Sequence, residues 1–471
     1  MVDVISSGSR NVPSKIASTP LFLSMMRQFI AFCFAVFSCY FVTAQETLTL
    51  NQAIDKGLSN NYQLNIAKRN LDISNNNNTW SAAGKGPRVD ASLNLQNGYL
   101  NSKAAGFLRE QAQFNSGITP AIDGTWVIYD GNRAKVTKQQ LEQQVVQGEN
   151  NIEVAIENTV QAIILAYYQA LIQEEQLTTL QEVLDLSRDR ISLQEVRKEF
   201  GQAGTFDILQ TQDAYLNDST NILIQENNIA TAYRNLNLAM GEDEVAKVYR
   251  LVDNLDFQPT SFQLSALEET MFTNNKSLQN LLLSREVAHM NTQLQEVAKR
   301  PTISLASGLS YNLSGSTGDG IINTGEFETP IDLGGSTKTF NFYLGATAAY
   351  NLYDGGNRKR NIENAEVEEL IAQLNIDDFK RNLSNQLQNT LANYNNQLQL
   401  LQLTENLIEN AKQNLQIGKE RFEGGLISSF DYRAIQLAFV NASQARLNAI
   451  FNLKTTETEL MRLTGQLVQE E

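Results

Sequence analysis

A chain of 471 residues, 42% hydrophobic and carrying a net charge of −15, is long enough for large buried surfaces but does not suggest several compact enzyme domains. Its acidity argues against nucleic acid as a partner. Only 7 Pro beside abundant Asn and Gln suits long helices better than a globular core.

The N-terminus reads as a removable address. Met26-Arg27-Gln28 is a short basic start, residues 29–42 are apolar, and Val42-Thr43-Ala44 offers small residues for cleavage before Gln45. Met26 is therefore taken as the start, and residues 1–44 are set apart as upstream extension and signal peptide. The apolar run is too short to be a good membrane anchor. Cys33 and Cys39 both lie within it, so the mature chain holds no thiol and disulfide, redox and Cys-metal chemistry drop out together. Lipidation of Cys39 is the competing reading, disfavoured by the apolar Tyr40-Phe41-Val42 that follows.

Beyond Gln45 the chain says everything twice. Thr49 with Gln52 fits a capping box and starts an amphipathic helix to about Asn75; Ser265 with Glu268 starts another to about Lys299. Each ends near a Pro, Pro87 or Pro301, and alternation follows. Val89, Leu93 and Leu95 alternate with Asp90, Asn94 and Gln96, and Ile118, Ile122, Trp126 and Ile128 share a face across the next loop. In the second half Ile303, Leu305, Leu309, Tyr311 and Leu313 repeat the pattern, then Phe340, Phe342, Leu344 and Tyr350. These are two hairpins, four strands in all, joined by loops at 101–117 and 315–338 rich in Gly, Ser, Thr and Asn and expected to be mobile.

Both strand pairs stop at one junction: Tyr129-Asp130-Gly131-Asn132-Arg133, and Tyr353-Asp354-Gly355-Gly356-Asn357-Arg358. Asp-Gly permits a sharp turn, with Gly free to take positive φ. Residues 132–199 and 357–421 then run without Pro, each on the order of 100 Å as helix. Ile156, Val160, Ile163, Tyr167 and Ala170, and Tyr394, Leu398, Leu401, Ile408 and Leu415, fall in the 3/4 spacing of a coiled-coil-like seam. Gly-bearing turns follow, with Phe200, Gly201 and Gly204 before Phe206-Asp207, and Phe422, Gly424, Gly425 and Leu426 before Phe430-Asp431. Return helices end at the C-capping Gly241 and Gly465. Thus 45–241 is a first repeat, 242–263 a linker, 264–465 a second repeat and 466–471 a tail.

Strands of roughly 10 residues cross a bilayer when tilted. In lipid every backbone group must be paired, so an open sheet of four strands cannot sit there alone, and single-chain barrels start at about 8. Closure with other copies of the chain is the favoured solution; a soluble two-faced sheet is the alternative. The expected class is mainly α, with duplicated long helical hairpins and a small transmembrane β part.

Read in order, the chain resembles the TolC family of outer-membrane efflux proteins across essentially its whole mature length. The resemblance rests on Leu48-Thr49-Leu50-x-x-Ala53, the doubled Tyr-Asp-Gly junction, Arg421-Phe422-x-x-Gly425-Leu426-x-Ser428-x-x-Asp431 and the terminal Leu463-Thr464-Gly465. It implies a homotrimer whose strands close a twelve-stranded barrel among outer-membrane lipid, and whose helices form a periplasmic tunnel. The turns at Phe200, Gly201 and Gly204 and at Phe422, Gly424, Gly425 and Leu426 would receive a periplasmic membrane-fusion adaptor, with an inner-membrane efflux pump or ABC transporter behind it, in efflux or type I secretion. Asp431, with Asp207 as its first-repeat counterpart, would face the narrow end of the pore. Many relatives have a second carboxylate one turn on; this chain has Ala434, implying a thinner ring, and its first turn is two residues shorter than its second. From the residues themselves, Asp207 and Asp431 serve equally well as helix N-terminal caps, and the glycines as plain turn-formers.

Other classes find little support. His289, the single histidine, sits in a helical stretch, and no nucleophile, phosphate-loop or metal spacing is present, so neither an enzyme nor a cofactor is expected. The segment from Gly315 to Gly320 lacks the full ligand pattern of a calcium loop. Met240, Met271, Met290 and Met461 are scattered, which does not indicate a dedicated copper or silver exporter. The rival reading is a periplasmic coiled-coil adaptor or scaffold without a pore, but such a protein would ordinarily have one hairpin and no amphipathic strand pairs.

Overall fold

The computed structural model describes residues 46–103, 108–257, 259–325 and 327–468. The signal-peptide reading, with Met26, Cys33 and Cys39, lies outside the described residues, as do 104–107 of the first hairpin loop and 469–471 of the tail. One small unit contains the parallel pair β1 (Thr47–Leu48) and β4 (Arg250–Leu251). The second unit, from Leu50 to Lys247 and from Asp253 onward, holds all the longer elements.

Its helices come in two matching sets. In chain order they are α1 (Leu50–Asn60), α2 (Tyr62–Asn77), α3 (Arg133–Glu199) and α4 (Thr205–Met240), then α5 (Leu264–Asn274), α6 (Lys276–Val297), α7 (Asn357–Glu423) and α8 (Ser429–Leu463). Helices α3 and α7 have 67 residues each, which at about 1.5 Å per residue is roughly 100 Å. Their apolar stripes are buried where the spacing placed them: Val160, Ile163, Tyr167 and Ala170 on α3, Tyr394, Leu401 and Leu415 on α7. Leu398 and Ile408 pack at the edges of those cores. The second set encloses Leu267, Met271 and Leu278 from α5 and α6 with Ile376, Leu383 and Leu387 from α7 and Ile450 and Leu453 from α8. The linker is tied down on both sides: Tyr167 Oη donates to Asp253 Oδ2 (2.5 Å), and Tyr394 Oη donates to the Thr260 carbonyl (2.9 Å).

The entry helices differ from the expected single spans. Each breaks in two at an Asn, Asn61 between α1 and α2 and Asn275 between α5 and α6. The Asn61 carboxamide accepts from Gln63 N (2.9 Å) and Leu64 N (3.2 Å), and Asn275 accepts from Leu278 N (2.9 Å). Capping the next helix locally beats continuing the previous one. Their amide groups donate to the Ala239 and Leu463 carbonyls, fastening each break to the last turn of its return helix. Ser265 lies inside α5, whose N-cap is Gln263, so the expected Ser265–Glu268 capping box is not formed.

The sheet is antiparallel in the order β2 (Arg88–Lys103), β3 (Leu108–Tyr129), β5 (Thr302–Asn323), β7 (Gly335–Ala349), with the short β6 (Glu328–Asp332) also on β5. Here too the expectation needs correcting. Most of the two segments taken as mobile loops is strand: Asn101 pairs with Ala112, and Gly315 pairs with Ser336. Gly, Ser, Thr and Asn read as loop residues, yet in a paired ladder their backbones are satisfied and their small side chains suit a polar face. The Gly315–Gly320 stretch, weighed as a calcium loop, is continuous β5 strand.

Candidate functional site

Three regions hold the residues singled out in the sequence. At the strand-to-helix junctions Asp130 and Asp354 play one role twice. Asp130 Oδ2 accepts from Ala134 N (2.7 Å), and Asp354 Oδ2 accepts from Arg358 N (3.0 Å) and Arg358 Nε (2.9 Å). Each carboxylate caps the open N-terminus of a long helix, where the macrodipole also favours negative charge. Two successive left-handed residues make the turn: Gly131 with Asn132 (φ 72° and 78°), and Gly355 with Gly356 (φ 68° and 80°). Burial pushes the Asp354 carboxyl up, but the Arg358 and Gly356 N–H groups and the Arg358 guanidinium outweigh it and hold the group below the usual carboxylate range. Tyr129 closes β3, and Tyr353 stands almost fully exposed just before Asp354.

At the helix turns, Asp207 and Asp431 occupy the third position of their return helices. Asp207 Oδ2 accepts from Gly204 N (2.8 Å); Asp431 Oδ2 accepts from Ser428 N (3.2 Å) and Ser428 Oγ (2.7 Å), while Asp431 N donates back to Ser428 Oγ (3.1 Å). Asp431 thus forms a complete capping box and Asp207 half of one. Gly201 and Gly425 take φ of 71° and 74°, and Gly424 ends α7 in right-handed conformation. The two turns are not equivalent. Phe200 is 75% exposed, whereas Phe422, expected among the docking residues, is 2% exposed. Its ring stacks on Tyr432 at 5.0 Å and lies under the Arg197 guanidinium at 4.7 Å, so it is packed between helices rather than offered to a partner. The exposed apolar side chains here are Phe200, Phe206, Leu426 and Phe430. Phe206 and Phe430 were not singled out, although the doubled Phe-Asp was the available signal.

Just above the turns a buried polar layer joins the two hairpins. Arg433 holds Asp218 through both carboxylate oxygens (2.6 and 2.8 Å), Ser187 Oγ donates to the same carboxylate (2.6 Å), and Arg190 Nη1 donates to Gln436 Oε1 (3.2 Å). Burial, and then repulsion by Arg433, lowers the Arg190 guanidinium to about 10. No sequence signal marked this layer, because its members come from three helices.

The third region is the sheet. Val89, Leu93 and Leu95 of β2, Ile118 and Ile122 of β3 and Phe340, Phe342 and Leu344 of β7 stand exposed on one face. The alternate positions, such as Asn94, Thr119, Asn312 and Asn341, are polar. Among the described residues β2 pairs only with β3 and β7 only with β5, so both outer edges are open. No helix among the described residues is long and apolar enough to cross a membrane.

An amphipathic sheet continuing directly into two helices about 100 Å long is the pattern of a membrane β structure with a long helical extension. The family model for outer membrane efflux proteins matches residues 53–242 and again 269–466, and the chain belongs to that family. Family membership assigns it to the outer membrane and to efflux channels. The chain is 21% identical over 386 residues to outer membrane protein TolC of Vibrio cholerae, covering 80% of this chain and 83% of that protein. Its fold is similar to that of the CmeC outer membrane channel of Campylobacter jejuni, with a TM-score of 0.69 at 15% identity over 89% of this chain and 86% of that one. The outer membrane protein VceC of Vibrio cholerae gives 0.66 at 14% identity over 88% and 96%.

Proposed function

We propose that the protein is the outer-membrane conduit of a tripartite efflux or type I secretion system, a homotrimer that conducts solutes passively from periplasm to exterior. The observation that carries this is the sheet with an apolar face and two open edges. In lipid those edges must be paired. Strands β2 and β7 run in opposite directions, so β7 of one copy continues the antiparallel order onto β2 of the next, and three copies make twelve strands. The helices carry a matching requirement. Leu209, Leu216 and Leu223 lie exposed seven residues apart on α4, and Leu400, Leu403 and Leu407 form a second exposed stripe on α7. Such seams are covered by neighbouring helices in supercoiled bundles.

In this reading residues 45–241 and 264–465 are the two repeats, and 242–263 links them. The turns form the periplasmic tip, where Phe200, Phe206, Leu426 and Phe430 with Gly201, Gly204, Gly424 and Gly425 offer apolar surface and close backbone approach to an adaptor. An inner-membrane pump or ABC transporter supplies the energy, and the conduit supplies only a path. Asp207 and Asp431 then do two jobs, capping their helices and ringing the narrow end with carboxylates that attract cations.

Planar-bilayer recording tests both parts. The purified protein is expected to form discrete channels, and Asp431→Ala to raise conductance or weaken divalent-cation block. Absence of channels rejects the conduit, and unchanged conductance and block remove Asp431 from the pore.

A further inference from the structure

One row across the sheet is unlike the rest of its polar face. Asp90 on β2 faces Asp123 on β3, Asp123 faces Gly308 on β5, and Gly308 faces Tyr343 on β7. Tyr343 reaches across the glycine and donates its phenol hydrogen to Asp123 Oδ1 (2.9 Å). A Cβ at position 308 would collide with both Asp123 Oδ1 and the Tyr343 ring, so only glycine leaves room for that bridge. Asp90 is answered by Arg88 two residues earlier on the same face, at 2.8 Å. Asp123 has no cation among the ion pairs of the described residues, and its bridge from Tyr343 is neutral. Moving along the sheet away from the helices, the same face continues through Ser92, Asn94, Thr119, Ser310, Asn312 and Asn341, all uncharged.

We infer that Asp123 sets the charge selectivity of the barrel half of the conduit, with Tyr343 as the residue that positions it. The inference rests on the trimeric-barrel reading, in which this polar face lines the lumen. Strands about 4.8 Å apart and tilted about 40° place twelve of them on a circle of about 12 Å radius. Side chains project inward from that circle, so three Asp123 carboxylates stand within about one Debye length of the axis at 0.1 M salt, where that length is about 10 Å. Their combined field favours cations and disfavours anions through the lumen. At 1 M salt, with screening over about 3 Å, the preference fades. This filter is separate from the carboxylates at the helix turns and acts at the opposite end of the long helices.

The test is the reversal potential of the full-length trimer in a planar bilayer under a KCl gradient near 0.1 M. The wild type is expected to prefer potassium over chloride. Asp123→Asn lowers the permeability ratio by roughly twofold or more, and Arg88→Gln, which uncovers Asp90, raises it. Two variants of opposite sign keep the test open should either fail to assemble. Channels whose permeability ratio is unmoved by Asp123→Asn, or is unmoved or lowered by Arg88→Gln, overturn the inference and leave the conduit standing. A wild-type protein that forms no channel overturns both.

Discussion

Glu157 is a carboxylate on α3 that is only 7% exposed. Burial, partly offset by Lys276 and Arg462, raises its pKa from 4.5 to about 7. A carboxyl whose folded pKa lies above its unfolded one holds its proton in the folded state longer, so stability falls as pH climbs from about 4.5 to about 7. Glu157→Gln removes that dependence. The variant is expected to match the wild type below pH 4.5 and to exceed it at pH 8 by on the order of 1–2 kcal/mol, after allowance for solvent screening, in urea unfolding followed by circular dichroism. A constant difference at both pH values would show that Glu157 ionises normally. Single residues of this kind were illegible in the sequence, because the shift of Glu157 depends on burial in the folded chain and on opposing charges brought by α6 and α8. Asp130 and Asp354 were legible for the opposite reason: their work is local, done within a few residues, and done twice.

At the scale of elements, the long helices announced themselves through Pro-free length and heptad spacing, and their structural ends fall within two residues of the expected ones. The breaks at Asn61 and Asn275 were missed, although Asn60-Asn61 and Asn274-Asn275 each stand three residues before a buried leucine, Leu64 or Leu278. An Asn within a helical pattern is easily passed over, because its capping role shows only when its carbonyl meets the N–H groups ahead. Asn275 also satisfies the Leu463 carbonyl from a buried position. Asn275→Ala should cost about 2–3 kcal/mol, a lost cap plus a stranded buried carbonyl. Thermal unfolding of the variant beside Asn61→Ala measures it, with the more exposed Asn61 expected to cost less. Equal and negligible losses would mean that the breaks are incidental. The strands ran past their expected ends because Ser, Thr, Gly and Asn carry no apolar alternation on either face, which hides the period of two. The burial of Phe422 was hidden for a related reason: the resemblance grouped it with Phe200 at the docking turns, whereas Tyr432 and the Arg197 guanidinium, from other helices, enclose its ring.

Among the described residues, apolar side chains are exposed on one face of the sheet and along the seams on α4 and α7, and both edges of the sheet are open. In the proposed trimer, lipid covers the apolar face of the sheet, and neighbouring copies cover its edges and the helix seams. The duplication was readable because each half repeats the same order of strand, junction and long helix. In the proposed trimer, closure of the sheet is a property of several chains and lies beyond any one of them. A cryo-electron-microscopy map of the full-length protein in lipid nanodiscs tests it most directly. The account predicts a threefold particle in which β7 of each copy hydrogen-bonds to β2 of the next, with the long helices enclosing a continuous lumen below. A particle without threefold symmetry, or one whose strands lie against their own helices with free edges, would contradict it.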